Sequence, residues 1–249
     1  MSLVARPDLL AAQRVLCCQP HYDDNDIGAG GTIAALVEAG AEVFYLTVTD
    51  DLIGVIDDSL TEAEAAALLK REQAEAGDLI GVSGQFWLGY PDADKYDYYD
   101  VRRDIIRHIR MLRPDFILTV DPYLPYEAHQ DHILTGKAVS EAAILYGMMR
   151  LKTDPEVDAA YETHDIQGIG YYLTHAPNTF VDIHHTHVKK HAAVGAYHAQ
   201  FTDEDMALLQ YYLDLKEQEY GMAHGCKYAE ALKVLHIRHL HSSVDAGRA

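Results

Sequence analysis

The sequence predicts an α/β protein with a mostly parallel central sheet, helices on both faces, and further strands and helices towards the C-terminus. Short apolar runs, which are typical of buried strands, alternate with longer segments of helical periodicity. This alternation of strand and helix is typical of a parallel sheet. The apolar runs also end in acidic residues, as at Asp23, Asp50 and Asp121. Right-handed crossovers would bring such strand ends to one edge of the sheet.

The elements of the first half follow from local patterns, after a short leader helix or arm over residues 1–13. The predicted strands are short apolar runs at 14–19, 42–49, about 86–88 and 116–120. The predicted helices keep apolar residues at helical spacing over 27–39, 60–79 and 101–112. Gly40 and Pro114 end the first and third of these helices. Thr61 and Glu64 have the spacing of a capping box at the start of the second.

The second half continues the same pattern with more polar connections. A helix is predicted from His129 to about Met149, followed by a polar loop over 152–165. The remaining elements are two strands at 168–174 and 179–183, and helices at 187–200, at 203–222 and near Ala229. Because there is no repeat or interdomain linker, we expect one domain over 1–249. It would have a core of about 14–200 and a helical C-terminal extension of about 201–249.

Composition excludes several classes of partner. The chain has 249 residues, with 20 Lys and Arg against 39 Asp and Glu, for a formal charge of −19. A nucleic-acid partner would be repelled, whereas a neutral or cationic small molecule is easier to accommodate. No apolar run approaches the roughly 18 residues that a membrane span needs, and the N-terminus lacks a signal core, so we expect a cytoplasmic protein with no membrane contact. Cys17 and Cys18 point to opposite faces of a strand and Cys226 is distant, which argues against a disulfide framework.

Two clusters of histidine and carboxylate residues each follow a predicted strand. His21 and Asp24 are three residues apart in an acidic turn, and His129 and His132 form a similar pair at a predicted helix start. Two histidines and one carboxylate leave a tetrahedral zinc one position short, and a catalytic water would occupy that position. Each pair alone is weak evidence, because a lone H-x-x-H is usually exposed surface. Their convergence at one sheet edge makes a metal site the stronger interpretation.

The carboxylates beside these candidate ligands suggest further roles. A base must take the proton of the metal-bound water, and Asp23 stands beside Asp24 for that task. Asp131, next to His132, could orient an imidazole from behind. Tyr126 and Glu127 precede His129 and could reach the substrate, although the chain has 17 tyrosines and packing is the more common role.

The glycine-rich helix start raises the rival hypothesis of a dinucleotide site. Gly28-Ala29-Gly30 lacks the third glycine of that motif, since position 33 is Ile, and the preceding carboxylates would repel a pyrophosphate. Gly28, Gly30 and Gly31 indicate a crowded approach to the strand or to a ligand, and a tight corner between strand and helix is the simpler interpretation. A serine-hydrolase motif is also missing, because no G-x-S-x-G occurs.

At the two clusters the sequence resembles the PIG-L or LmbE-like N-acetylglucosaminyl deacetylases. Their first motif, P/A-H-P-D-D-E, corresponds here to Pro20-His21-Tyr22-Asp23-Asp24-Asn25. Their second motif, H-x-D-H, corresponds to His129-Gln130-Asp131-His132. The resemblance covers most of residues 14–200. Tyr22 and Asn25 depart from the family pattern, but neither is at a ligand position, so the metal site should survive.

This resemblance implies a Rossmann-like fold and zinc-dependent removal of an acetyl group from an N-acetylglucosamine-type amino sugar or conjugate. The positions that would bind zinc are His21, Asp24 and His132. The positions that would act in catalysis are Asp23 as general base, His129 at the oxyanion or leaving amine, and Asp131 as a support. The positions that would contact sugar hydroxyls are Arg71 and Asp92, to which we add Tyr126 as a substrate-contact candidate.

Several alternatives stay open at this point. A two-histidine, one-carboxylate set also suits iron(II), so zinc is preferred by ligand type and resemblance alone. A non-catalytic metal- or sugar-binding protein of the same fold is the rival function. The exposed C-terminal helices make a homo-oligomer reasonable. The remaining histidines group at 184–191 and 236–241. They could hold a second metal, but buffering surface or an oligomer contact is the favoured interpretation.

Overall fold

Within residues 4–248, which this computed structural model describes, seven strands form one sheet. The strands are β1 (Arg14–Gln19), β2 (Glu42–Thr49), β3 (Gly84–Tyr90), β4 (Phe116–Val120), β5 (Gly168–Tyr172), β6 (Thr179–Asp182) and β7 (Ala229–His236). The helices are α1 (Asp24–Glu38), α2 (Glu62–Ile80), α3 (Tyr98–Leu112), α4 (Gln130–Leu145), α5 (Pro155–Ala160), α6 (His187–Val194) and α7 (Asp203–His224). No helix in this part of the chain is both long and apolar enough to cross a membrane.

The order of the strands is β3-β2-β1-β4-β5-β7-β6. The strands from β3 to β5 are parallel, whereas β7 runs antiparallel to both β5 and β6. The chain leaves β1 for β2 on one side and returns to place β4 on the other, so the strand order reverses at β1. This confirms the predicted mostly parallel, Rossmann-like α/β fold and puts the carboxyl ends of β1, β2 and β4 at one edge.

The sheet separates two layers of buried apolar side chains. Val15 and Cys17 of β1 belong to the layer that includes Leu36 of α1, while Leu16 and Cys18 belong to the opposite layer with α3 and α4. Alternate residues of a strand point to opposite faces, so Cys17 and Cys18 lie on different sides of the sheet, as predicted. All three cysteines are free.

The predicted helices of the first half are confirmed, but two of them begin three residues earlier than predicted, and α3 begins at Tyr98 rather than at residue 101. Helix α1 begins at Asp24 rather than at residue 27, which places the second half of the acidic turn within its first turn. Helix α2 begins with the predicted capping box between Thr61 and Glu64. A β-carbon at Gly28 would overlap the ring of Tyr172 on β5, and one at Gly31 would crowd the side chain of Ile183. The glycines therefore permit close packing against the sheet, as the simpler interpretation had it.

Three predictions from the second half are wrong. The segment near Ala229 forms β7 rather than a helix, because pairing with β5 and β6 on its two sides outweighs the local helix preference of its residues. The predicted extension over 201–249 is therefore not purely helical. The polar loop contains the short helix α5, capped by the Asp154 side chain. Helix α6 ends at Val194, before Gly195, rather than at Gln200.

Between Val4 and the start of β1, the structure has one short helical turn. A 3-10 helix spans Leu9–Ala11 and is capped by the Asp8 side chain. The predicted leader helix or arm at 1–13 lies partly outside the described residues, which begin at Val4.

Candidate metal and active site

The turn between β1 and α1 is held by hydrogen bonds from its own residues. The Gln19 side chain donates to the Tyr22 carbonyl at 3.0 Å and accepts from the Asn25 backbone N–H at 2.7 Å. The His21 backbone N–H donates to Asp24 Oδ2 at 3.0 Å. These contacts fix His21 and Asp24 on the same side of the turn, at the carboxyl edge of the sheet.

The two residues that depart from the family motif lie in this framework. Tyr22 is buried, and its carbonyl also accepts a hydrogen bond from the Tyr197 hydroxyl at 2.8 Å. Asn25 is buried, donates to the Cys17 carbonyl at 3.3 Å and accepts from the Tyr172 hydroxyl at 3.0 Å. The Asn25 side chain and the Tyr22 backbone therefore support the fold of the turn, and the Tyr22 ring belongs to the apolar core.

The second cluster lies at the start of α4, after the loop that follows β4. His129 is the residue immediately before this helix, with Asp131 and His132 in its first turn. The His129 backbone N–H donates to Glu127 Oε1 at 2.8 Å. Because β4 lies beside β1, this helix start comes to the same edge as the β1 turn. The structure thus brings together residues that are more than 100 positions apart in the sequence.

Side-chain atoms of three residues lie 3.3–3.4 Å from one another, with Asp24 facing each of the two histidines through a different carboxylate oxygen. His21 Nδ1 lies 3.3 Å from Asp24 Oδ2 and 3.3 Å from His132 Nε2, and His132 Nε2 lies 3.4 Å from Asp24 Oδ1. A tetrahedral zinc with ligand distances of about 2.0–2.2 Å places its ligands roughly 3.3–3.6 Å apart. The predicted trio His21, Asp24 and His132 therefore fits such an ion.

Each of the two histidines has a carboxylate behind its other ring nitrogen. His21 Nε2 faces Asp92 Oδ1 at 3.3 Å and Asp131 Oδ2 at 3.7 Å, while His132 Nδ1 faces Glu127 Oε2 at 3.5 Å. Asp131 is itself fixed by the Tyr96 hydroxyl at 2.7 Å and the Ala93 N–H at 2.8 Å. Carboxylates at this position orient metal-bound imidazoles and increase their basicity.

The charges of the cluster favour a cation. Burial lowers the pKa of His21, but the carboxylates of Asp131, Asp24 and Asp92 outweigh it and raise that pKa far above the usual imidazole value. Burial tends to raise the pKa of Asp24, yet the two histidines lower it to about 2. The carboxylates thus favour positive charge at this position, and a divalent ion would supply it in place of the His21 proton, because a metal-bound imidazole must be unprotonated.

Asp23 has the opposite electrostatic environment from its neighbour Asp24. Burial raises the pKa of Asp23 well above its usual value, and the charges of Asp24 and Asp51 add to the effect. Its side chain makes no capping hydrogen bond to α1 and lines the cavity over the cluster. Two adjacent carboxyl groups with pKa values pushed apart are typical of separate acid–base and ligand roles.

A cavity of about 340 Å³ opens over the cluster. Its walls include His21, Asp23, Asp24, Asp92, His129 and His132, together with Asp51, Ile53, Gly54 and Gln200. This volume suits a small ligand. A larger cavity of about 630 Å³ lies between α4 and the C-terminal segment, where none of the candidate site residues lies.

The other predicted site residues differ in position. Asp92 lines the cavity but faces His21, so it also belongs to the surroundings of the metal cluster. His129 lies at the rim, half-exposed, with its ring centroid 4.6 Å from that of His21. Arg71 on α2 and Tyr126 before α4 are exposed and are not among the cavity walls. Their contact with a substrate stays a prediction.

Three residues of the site were not among the predicted site residues. Asp51 accepts from the Tyr22 N–H at 3.0 Å and from the Gln200 side chain at 2.8 Å, and burial raises its pKa to about 7. Its position at the end of β2 was a signal for it, and Glu127 was noted for its place before His129. Gln200 follows α6 and carries no local signal.

Comparison with known proteins agrees with the fold and with the family resemblance. The family model described as PIG-L, GlcNAc-PI de-N-acetylase, matches residues 16–143. The diacetylchitobiose deacetylase of Thermococcus kodakarensis is 35% identical over 221 residues, which cover 89% of this chain and 82% of that protein.

Solved structures extend this agreement to three dimensions. The N,N'-diacetylchitobiose deacetylase of Pyrococcus horikoshii has a TM-score of 0.85 and 33% identity, over 94% of this chain and 88% of that one. The 4-carboxy-2-hydroxymuconate hydratase of Pseudomonas putida has a TM-score of 0.73 at 20% identity, over 90% of this chain and 96% of that one, and shows the fold alone. A shared fold does not determine the reaction, whereas the family match includes the first motif and both histidines of the metal cluster. The chain belongs to the PIG-L family of deacetylases.

Proposed function

We propose that this chain is a zinc-dependent deacetylase that removes the acetyl group from an N-acetylglucosamine-type sugar, with a short chitin-type disaccharide as the first substrate to test. The observation that carries the proposal is the cluster of His21, Asp24 and His132 beneath a small cavity, with carboxylates behind both imidazoles. The similarity to two diacetylchitobiose deacetylases supports the choice of substrate.

His21, Asp24 and His132 would hold the metal. A divalent cation at this position supplies Lewis-acid activation of a water molecule and of the amide carbonyl. Three protein ligands leave a coordination position open, as catalytic zinc sites do. Zinc is proposed over iron(II) because both nitrogen ligands are imidazoles at tetrahedral spacing, and the metal-content measurement below separates the two metals.

Asp23 would act as the general base. Its carboxyl group lines the cavity beside the ligand Asp24 and is not one of the three ligand atoms. Burial raises its pKa towards the range in which a carboxylate can accept a proton from water near neutral pH. The oxygen of that water forms the new bond to the acetyl carbon, and the water proton passes to Asp23.

His129 would complete the reaction from the rim of the cavity. Its imidazole stands beside His21 and is solvent-accessible, so it can donate a hydrogen bond to the oxygen that gains negative charge at the acetyl carbon. When the carbon–nitrogen bond breaks, the leaving nitrogen takes up the proton that Asp23 accepted from the water, and the products are the free amine and acetic acid, which ionises to acetate. Asp131 lies 3.9 Å from His129 Nδ1 and would orient this imidazole as well as His21.

The experiment that tests the proposal combines metal content with product release. The dialysed wild type and the variants His132→Ala and His185→Ala would be measured by elemental mass spectrometry and assayed for acetate released from N,N'-diacetylchitobiose. We expect zinc and acetate release in the wild type and in His185→Ala, an exposed histidine outside the cluster. We expect His132→Ala to lose both the metal of this cluster and the activity.

The rival function is a non-catalytic binding protein of the same fold. It predicts metal and sugar binding in the wild type without release of acetate from any N-acetylated sugar. A wild type that takes up neither zinc nor iron at this cluster would refute the metal-dependent mechanism.

A further inference from the structure

A second group of potential metal ligands lies between α6 and α7. His187 and His191 are one helical turn apart on α6, and Asp214 and Glu217 are nearly one turn apart on α7. One ligand atom from each of His187, His191 and Asp214 lies within 4.8 Å of the other two. None of these residues belongs to the cluster at the β1 turn.

The distances within this group match those of a metal site. His187 Nε2 lies 3.2 Å from Asp214 Oδ1 and 3.2 Å from Glu217 Oε2, and His191 Nε2 lies 3.1 Å from Glu217 Oε2. A tetrahedral ion with bonds of about 2.0 Å has ligands roughly 3.3 Å apart. Two imidazole nitrogens and two carboxylate oxygens form a ligand set that zinc accepts.

The geometry at His187 indicates a missing partner. Its Nε2 atom is buried and makes no hydrogen bond, although two carboxylates are within 3.2 Å. The ring is stacked on Tyr228, with the centroids 3.7 Å apart and the planes 15° apart, which holds Nε2 towards α7. A buried polar atom without a hydrogen bond calls for a partner, and a cation between this imidazole and the two carboxylates would provide one.

Charge also favours a cation at this position. Lys190 Nζ is buried and lies 2.7 Å from Glu217 Oε1 and 2.7 Å from Glu230 Oε1. The lysine engages one oxygen of Glu217 and leaves Oε2 towards the histidines. Lys190 pairs with Glu217 and Glu230, while Asp214 lies against His187. The group therefore has three carboxylates and one lysine, and it is short of positive charge when the imidazoles are neutral.

We propose that His187, His191, Asp214 and Glu217 bind a second divalent transition-metal ion, with zinc as the first candidate. Four protein ligands close the coordination sphere, which is typical of structural rather than catalytic zinc. The ion would join α6 to α7. Through Lys190 and Glu230 it would also be connected to the middle of α1, because Glu230 accepts the Gly31 and Thr32 N–H groups at 3.0 and 2.7 Å. The proposal gives these four side chains a metal-binding role. From the sequence alone, a buffering surface or an oligomer contact was the favoured interpretation for the histidines of this region.

The test is the zinc stoichiometry of the full chain, measured by elemental mass spectrometry after zinc loading and dialysis. We expect about two zinc ions per wild-type chain and about one in His132→Ala, which has lost the ion of the first cluster. We expect about one in the double variant His187→Ala/His191→Ala. The exposed neighbour variant His185→Ala should keep about two and is the matched control.

Thermal unfolding provides a second readout that does not depend on activity. Zinc should raise the Tm of His132→Ala, because the second ion binds the folded state alone, and should not raise it when His187 and His191 are also replaced. The proposal is overturned if the wild type holds one ion and His132→Ala holds none. That outcome rests on a chain whose α6 and α7 are unchanged, so it does not depend on the folding of the double variant. A third outcome is a wild type with one ion that His132→Ala keeps and that is absent from the double variant His187→Ala/His191→Ala. This outcome would overturn the first site and support the second.

Discussion

At the scale of single residues, Asp23 and Asp24 show how one turn separates two roles. Both are buried carboxyl groups, but Asp24 faces two imidazoles and stays ionised, whereas Asp23 faces other carboxylates and binds its proton more tightly. Asp24, the candidate ligand, therefore keeps its negative charge, whereas Asp23 can exchange a proton. The backbone of the turn, rather than the residue types, creates this difference.

Asp23→Asn tests the base directly. The amide cannot accept the proton from water, so we expect the rate of acetate release to fall about 10²- to 10⁴-fold. The metal content should stay at the wild-type value, because Asp23 is not among the three ligand atoms. A variant that keeps full activity with its metal bound would refute the role of Asp23.

Asp131→Asn tests the carboxylate behind His21. The variant loses the negative charge 3.7 Å from His21 Nε2, so zinc affinity at this cluster should fall about 10- to 100-fold. Affinity would be measured by competition with a coloured chelator in the His187→Ala/His191→Ala background. Tyr96→Phe is the control, since it removes a hydrogen bond to Asp131 but leaves the charge, and it should weaken binding less. Equal affinity in Asp131→Asn and the parent chain would argue against this support.

The grouping of His21, Asp24 and His132 could be predicted because these candidate ligands fall in short motifs after recognisable strands. The surroundings could not be predicted as readily. Gln200 reaches Asp51 from a segment 149 positions further along the chain, and Asp92 faces His21 from the loop after β3. Such contacts depend on how loops pack at the sheet edge, and no local pattern records that packing.

At the scale of elements, the start of α1 is fixed by its contact with β5. Gly28→Ala would force the ring of Tyr172 to move, and the Tyr172 hydroxyl holds the Asn25 side chain at the helix start. We expect a loss of about 1–3 kcal/mol in unfolding free energy, measured by chemical denaturation. Gly147→Ala is the matched control, because nothing lies within 4 Å of a β-carbon there. Equal stability of the two variants would contradict this account.

Helix α3 contains a buried histidine, His108, that should make the stability of the fold depend on pH and that belongs to neither group of candidate metal ligands. His108 is buried beside Phe86, with Nδ1 2.8 Å from the Asp104 carbonyl oxygen, and burial lowers its pKa. Below pH about 6.5 the unfolded chain binds a proton there that the folded chain does not. The contribution of this group to stability is therefore present at neutral pH and is lost as pH falls, by at most about 1.4 kcal/mol per pH unit.

The comparison of His108→Leu with the wild type isolates this effect. Unfolding free energies at pH 7.5, 6.5 and 5.5 should fall less steeply in His108→Leu than in the wild type. His241→Leu, at an exposed histidine, should keep the wild-type slope. Parallel curves for the wild type and His108→Leu would show that His108 titrates equally in the folded and unfolded chains.

Elements with strong local signals were predicted closely, as the capping box of α2 and the apolar run of β4 show. Strand β7 was missed, because Ala, Glu, Leu and Lys favour a helix and only the gap between β5 and β6 makes the segment extended. The error follows from pairing between distant segments, which local propensity does not report.

At the scale of the whole molecule, the position of β7 bears on the domain prediction. Strand β7 lies outside the predicted core of about 14–200, yet it separates β5 from β6 and pairs with both. A core without β7 would leave β5 without its outer neighbour and β6 without the strand that it pairs with. Helix α7 also supplies Asp214 and Glu217 opposite α6. We propose that residues up to about 241 form one folding unit rather than a core with an independent appendage.

Two truncations test this proposal. A chain that ends at residue 200 loses β7 and α7, so apolar side chains such as Leu232 and Val234 no longer cover the β5–β6 region. We expect it to aggregate or to lack a cooperative unfolding transition by circular dichroism. A chain that ends at His241 keeps every strand and should unfold with a transition close to that of the full chain. A soluble, cooperatively folded chain of residues 1–200 would show instead that the sheet is complete without β7 and that the C-terminal segment is a separate extension.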